Sequence, residues 1–121
     1  MANRESPELA GIEIPCVLDE KFRFAIPEWI IGSEGIGQFV YAANIIDGRH
    51  TVTAVFYRKP KKGKAFRLRV DSDHRITIFR TIREQSDSFW FGNTVMAVDR
   101  GEYLLLLPWP APPPNGKGRK G

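Results

Sequence analysis

The stretches "VLDEKFRFAIPEWI" (Val17 to Ile30) and "RVDSDHRITIFRTI" (Arg69 to Ile82) carry one pattern twice, 52 residues apart. In each, an apolar residue (Leu18, Val70) precedes an aspartate, an arginine follows four residues later, and an isoleucine three after that: Asp19, Arg23 and Ile26, then Asp71, Arg75 and Ile78. In a chain of 121 residues a fixed offset of this size leaves room for two copies of one unit and little else. Upstream of the aspartates, Ile14, Cys16 and Leu18 map onto Phe66, Leu68 and Val70, an alternation that predicts a strand with one buried face. Arg67 and Arg69 take the opposite face. Downstream, Phe24 and Ile26 map onto Ile76 and Ile78. Each unit therefore opens as strand, tight turn, strand.

A short helix is expected next in both copies. Pro27 can occupy the first helical position and Gly32 can stop the turn. The second copy, "RTIREQS", has good helix formers and no breaker, which predicts a slightly longer helix. "QFVYAANIIDGRHTVTAVFY" then reads as a hairpin turning at Asp47-Gly48. Its counterpart, "NTVMAVDRGEYLLLLPW", has Asp99 at the same offset from Asp47. The organisation expected is a flexible N-terminus (1–11), a first repeat (12–57), a basic linker (58–64), a second repeat (65–109) and a disordered Pro/Gly/basic tail (110–121). The fold class expected is mainly β with short helices, α+β.

Charge is unevenly distributed. The chain carries +4 overall, yet Arg58 to Arg83 holds ten Lys or Arg against Asp71 and Asp73, so the rest sums to −4. Such asymmetry points to a polyanion, either nucleic acid or an anionic membrane surface, with a solvated basic loop as the alternative. No apolar run approaches the roughly 20 residues of a membrane span. The start, "MANRESPELAG", lacks the basic and apolar regions of a signal peptide. Cys16 is alone, which predicts a reducing, cytoplasmic setting without disulfides.

Catalysis finds little to work with. His50 and His74 have no metal-ligand cluster around them, Cys16 sits on an apolar strand face, and no Gly-rich loop opens a helix. No enzyme activity, cofactor or small-molecule substrate is expected. "SFWFG" (Ser88 to Gly92) could stack bases, but core packing or an oligomer contact is the expected use.

The repeated apolar-Asp-x-x-x-Arg-x-x-Ile pattern, followed by a short helix and a hairpin, resembles the SpoVT/AbrB swapped-hairpin superfamily. Two copies in one chain resemble its MraZ family. "LDEKFRFAIP" matches at Asp19, Arg23, Ile26 and Pro27, and "VDSDHRITIF" at Asp71, Arg75 and Ile78. The likeness covers nearly the whole chain apart from the tails. Phe22 and His74 stand where that superfamily has glycine, a residue suited to positive φ. Phe79 replaces a proline.

That resemblance implies two AbrB-like units interlocked as an intrachain pseudo-dimeric β-barrel, with both turns on one side. It implies a sequence-specific double-stranded DNA-binding protein, a transcriptional regulator acting at the nucleoid as a homo-oligomer. Arg23 and Arg75 would reach the DNA, with Lys21, Arg67, Arg69, Arg80 and Arg83 beside them. Asp19 and Asp71 would orient the arginines. The arginine-rich surroundings of the second turn predict that the second repeat dominates affinity. The competing reading is a protein-interaction or ring-forming module with a degenerate DNA face.

Overall fold

Two-residue periodicity dominates the chain, and the structure, a computed structural model describing residues 13–90 and 92–109, is correspondingly built on strands. Both expected flexible tails, 1–11 and 110–121, lie outside the described residues. The order is β1 (Glu13–Val17), β2 (Arg23–Ala25), α1 (Glu28–Glu34), β3 (Phe39–Asp47), β4 (His50–Phe56), β5 (Phe66–Arg69), β6 (Arg75–Thr77), α2 (Arg80–Glu84), a 3-10 turn (Asp87–Phe89), β7 (Thr94–Asp99) and β8 (Tyr103–Pro108). Mainly β with two short helices, the α+β class, is what the sequence led us to expect.

Six strands form one antiparallel sheet in the order β1-β7-β8-β4-β3-β5, and β2 pairs with β6 in a separate two-stranded ribbon. The first strand of each repeat pairs with the third strand of the other: β1 with β7, and β5 with β3. Exchanging the repeats therefore maps the sheet order onto itself. Cys16 faces Val95 and Leu68 faces Val40, so while Cys16 and Leu68 keep the offset of 52, Val40 and Val95 lie 55 apart. The 3-10 turn, three residues long, stands in the interval where the offset grows. It also undoes the equivalence of Asp47 and Asp99. Asp47 is exposed and closes a two-residue turn with His50, with Gly48 at φ 67°. Asp99 is buried and accepts a hydrogen bond from Tyr57 Oη at 3.0 Å.

The expected closed barrel is not found. The sheet ends at β1 and β5, whose outer edges pair with no strand among the described residues. Closure would need hydrogen bonds between these edges, whereas the three-residue strands β2 and β6 spend theirs on each other.

The core lies between sheet and ribbon. Alternation aims Val40, Ala42, Val55, Val95, Ala97, Leu104 and Leu106 to one sheet face, where Phe24 and Ile76 from the ribbon strands, Ile26 and Ile78 just after them, and Ile30 and Ile82 from the helices meet them. The other face carries a second apolar cluster of Val52, Ala54, Met96, Val98 and Leu105. Strands β4, β7 and β8 are thus buried on both faces, which is why "VMAV" and "LLLL" read as continuous apolar runs.

The helices depart from expectation in detail. Pro27 is the N-cap residue of α1 rather than its first helical position, and the helix runs through Gly32 to end at Gly35, φ 61°. A left-handed residue is needed to turn the chain off the helix, and Gly35 supplies it. The second helix is shorter, five residues against seven. It stops because Ser86 is extended and its hydroxyl accepts from Ser88 N, starting the 3-10 turn.

Candidate nucleic-acid interface

Each repeated turn is built by its aspartate. Asp19 Oδ1 accepts from the backbone N–H groups of Lys21 and Arg23, both at 2.9 Å. Asp71 Oδ1 does the same for Asp73 and Arg75, both at 2.8 Å. Backbone bonds close the loops, Phe22 N to Asp19 O at 2.8 Å and His74 N to Asp71 O at 2.9 Å. An aspartate competes well for such local backbone donors, and here it fixes four residues in one conformation. The residue before each arginine pays with its backbone: Phe22 has φ 57° and His74 φ 62°. Two side-chain-bearing residues therefore hold a backbone conformation that suits glycine.

Both arginines leave the turns on one surface. In the ribbon, Phe24 faces Ile76 inward, while Arg23 faces Thr77 and Ala25 faces Arg75. Arg23 and Arg75 are thus diagonal neighbours on the outer face, about 7–8 Å apart at the backbone. Arg23 Nε donates to Asp19 Oδ2 at 2.6 Å and Arg75 Nε to Asp71 Oδ2 at 3.2 Å. Arg75 also donates to Asp73 Oδ2 at 3.1 Å. Each arginine side chain keeps 30% of its surface exposed. The carboxylates hold the guanidinium groups without sealing them.

Burial, not the ion pairs, anchors this platform. Phe24, Ile26, Ile76 and Ile78 are at most 3% exposed, and fully burying such side chains contributes roughly 1.5–3 kcal/mol each as an upper estimate. Asp–Arg pairs open to solvent are screened and contribute little. The pairs set orientation instead. Asp19 is held below the ordinary carboxylate range, chiefly by the Arg23 N–H, with the Arg23 guanidinium and Lys21 N–H adding to it against partial desolvation. Asp71 is lowered likewise, first by the Arg75 N–H. Both turns stay ionised through neutral pH.

The remaining candidates divide. Lys21 is exposed at the first turn. Arg80 and Arg83 lie on α2, and α2 belongs beside the first turn rather than the second. Ile78 N donates to Phe22 O at 2.9 Å, and the Arg83 guanidinium stacks 3.9 Å from the centre of the Phe22 ring. The second turn meets α1 instead: Ile26 N donates to His74 O at 2.9 Å, and His74 Nδ1 lies 3.5 Å from Glu28 Oε2. In sequence these arginines follow the second turn, whereas the fold sets Arg83 beside the first. Arg67 and Arg69 stand on edge strand β5, opposite Tyr41 and Phe39, with Arg67 over the Phe39 ring at 4.5 Å. Among the described residues no hydrogen bond or ion pair joins them to the turns. Glu28 and Asp73 were not among the expected site residues. Only the fold brings Glu28 to the second turn, whereas the spacing of Asp73 from Arg75 was legible.

The "SFWFG" stretch serves packing in the part described. Ser88 is fully buried and Phe89 packs on the main core. Among the described residues no helix is long and apolar enough to cross a membrane, and no group of three or more His, Cys, Asp or Glu could hold a metal ion. Compared with protein-family models, curated proteins and solved structures, the chain matches none of them.

Proposed function

We propose that this chain is a swapped-hairpin protein of the SpoVT/AbrB type that binds double-stranded DNA in a sequence-specific way as a transcriptional regulator. One observation carries the reading: Arg23 and Arg75 project from the same outer face of the β2–β6 ribbon, partly exposed and oriented by Asp19 and Asp71. A two-stranded ribbon fits the major groove of B-form DNA, and a guanidinium there can grip phosphate or the O6/N7 edge of guanine. The exchange symmetry of the sheet order supports an internal pseudo-dimer.

The test is a selection of random duplexes at physiological salt, followed by titration of the selected site. Log affinity should fall with log salt at a slope near −0.9 per phosphate neutralised. The double variant Arg23→Ala, Arg75→Ala should lose the selected site. A double variant that shifts the site as the parent does would sink the proposal.

A further inference from the structure

Interlocking the repeats gives each turn the other repeat's helix as its neighbour, and the two composite halves differ in charge. The first turn with α2 brings together Lys21, Arg23, Arg80 and Arg83 against Asp19, Glu20 and Glu84. The second turn with the first residue of α1 offers Arg75 against Asp71, Asp73 and Glu28, with His74 between; Glu34 at the far end of α1 pairs with Arg58. Four cations against three carboxylates on one half become one against three on the other. Charges this close to a polyanion decide which half it approaches.

The first half also contains a shallow, open groove. It has a volume of about 270 Å³ and is lined by Phe22, Arg80, Arg83, Glu84, Phe89 and Gly92. Arg83 is fixed there by two contacts, its stacking on Phe22 and the bond from its Nη1 to Ile78 O at 2.9 Å. A guanidinium has five donors, and holding it in place beforehand reduces the ordering cost of binding. Arg80 is 82% exposed beside it and pairs with Glu84 at 2.7 Å. An exposed pair of this kind is weak enough for a phosphate to displace the carboxylate. At the second turn the carboxylate of Glu28 faces His74, and phosphate would meet like charge.

We infer that this chain grips the DNA backbone from one side: the groove between the first turn and α2 holds a backbone phosphate through Arg83 and Arg80, while the second turn with α1 holds no phosphate and leaves Arg75 to the base edges. One chain then reads one half-site and not an inverted repeat. This rests on the DNA-binding reading above; the gripping arginines still come from the second repeat, but they act at the turn of the first. The assignment follows which helix each turn touches, not which arginines follow it in sequence.

The experiment measures salt dependence on the selected duplex for the parent chain, Arg80→Ala, Arg83→Ala, their double variant, and Glu28→Gln with Asp73→Asn. Arg80 is exposed, so Arg80→Ala reports even if Arg83→Ala folds poorly. Losing both arginines should flatten the slope by about 0.9, the share of the one phosphate they hold, and each single variant should flatten it by part of that, whereas Glu28→Gln with Asp73→Asn should tighten binding. The selected sequence should lack two-fold symmetry. A duplex bound by the parent with the slope unchanged in Arg80→Ala and in the double variant, or a selected palindrome needing both halves equally, overturns the inference alone. No duplex bound by the parent chain overturns the DNA-binding reading with it.

Discussion

Nη1 of Arg75 lies 3.8 Å from Oδ2 of Asp19, so the arginine of the second repeat reaches the carboxylate that organises the first. The same oxygen accepts from Arg23 Nε at 2.6 Å. Asp19 is thereby shared between both turns, whereas Asp71 serves its own arginine and Asp73 adds a second carboxylate to that arginine. The two turns form one charge-linked surface, and its asymmetry starts at this contact.

Acid should dismantle that surface first. Asp19 and Asp71 have lowered pKa values in the folded chain, so the unfolded chain binds protons more readily. Their stabilisation is fully present above the ordinary aspartate pKa of about 3.9 and is lost as pH falls through the lower folded values. Urea midpoints measured from pH 7 to pH 2 should drop steeply below about pH 4. Asp19→Asn with Asp71→Asn should lower stability at neutral pH and flatten that drop. A parallel curve for the double variant would contradict this account.

Glycine at the two left-handed positions should have different effects. His74→Gly relieves a conformation that costs a side-chain-bearing residue about 1–2 kcal/mol, offset by glycine's greater freedom when unfolded, and should stabilise by about 1 kcal/mol. Phe22→Gly gains the same relief but loses packing against the core and the Arg83 stack, which itself contributes about 0.5–1 kcal/mol at an exposed site. It should be neutral or destabilising. Thermal melts of the two variants, side by side, decide the sign.

The buried Ser88 is the most sensitive small residue. Its hydroxyl donates to Leu106 O and accepts from Thr53 N at 2.8 Å, tying the 3-10 turn to β8 and β4. Thr53 Oγ1 continues the network to Asn44 Oδ1 at 2.7 Å and Ser86 Oγ at 2.8 Å. Ser88→Ala leaves a buried donor and acceptor without this partner and should cost about 1–3 kcal/mol by denaturant titration. A loss within error of zero would mean the network contributes nothing net.

Cys16 should be slow to modify in the native chain. Burial raises its thiol pKa, and only the thiolate is the nucleophile. Alkylation at mildly alkaline pH should be slower in buffer than in denaturant, where the shift is removed. Equal rates would show that the β1 edge opens freely.

Much of this was legible in advance because it depends on near neighbours. The Asp19 and Asp71 turns close over four residues, and Phe24, Ile26, Ile76 and Ile78 announce their buried faces through alternation alone. The turn at Gly48 needs only the residues either side of it. Helix lengths were less legible: Gly32 sits inside α1, and Ser86 cuts α2 short by bonding to a backbone group two residues ahead.

Sequence by itself determined that two copies of one strand–turn–strand unit exist, that each turn pairs Asp with Arg, and that the fold is mainly β. Tertiary structure alone decided that β1 pairs with β7 and β5 with β3, that the sheet stays open, and that α2 sits beside Phe22 while Glu28 faces His74. The reason is physical. Alternation and turn chemistry act within a few residues, but which repeat covers which is settled by burying apolar faces across some fifty residues of chain, and the charge around each turn comes from whichever helix that burial brings to it.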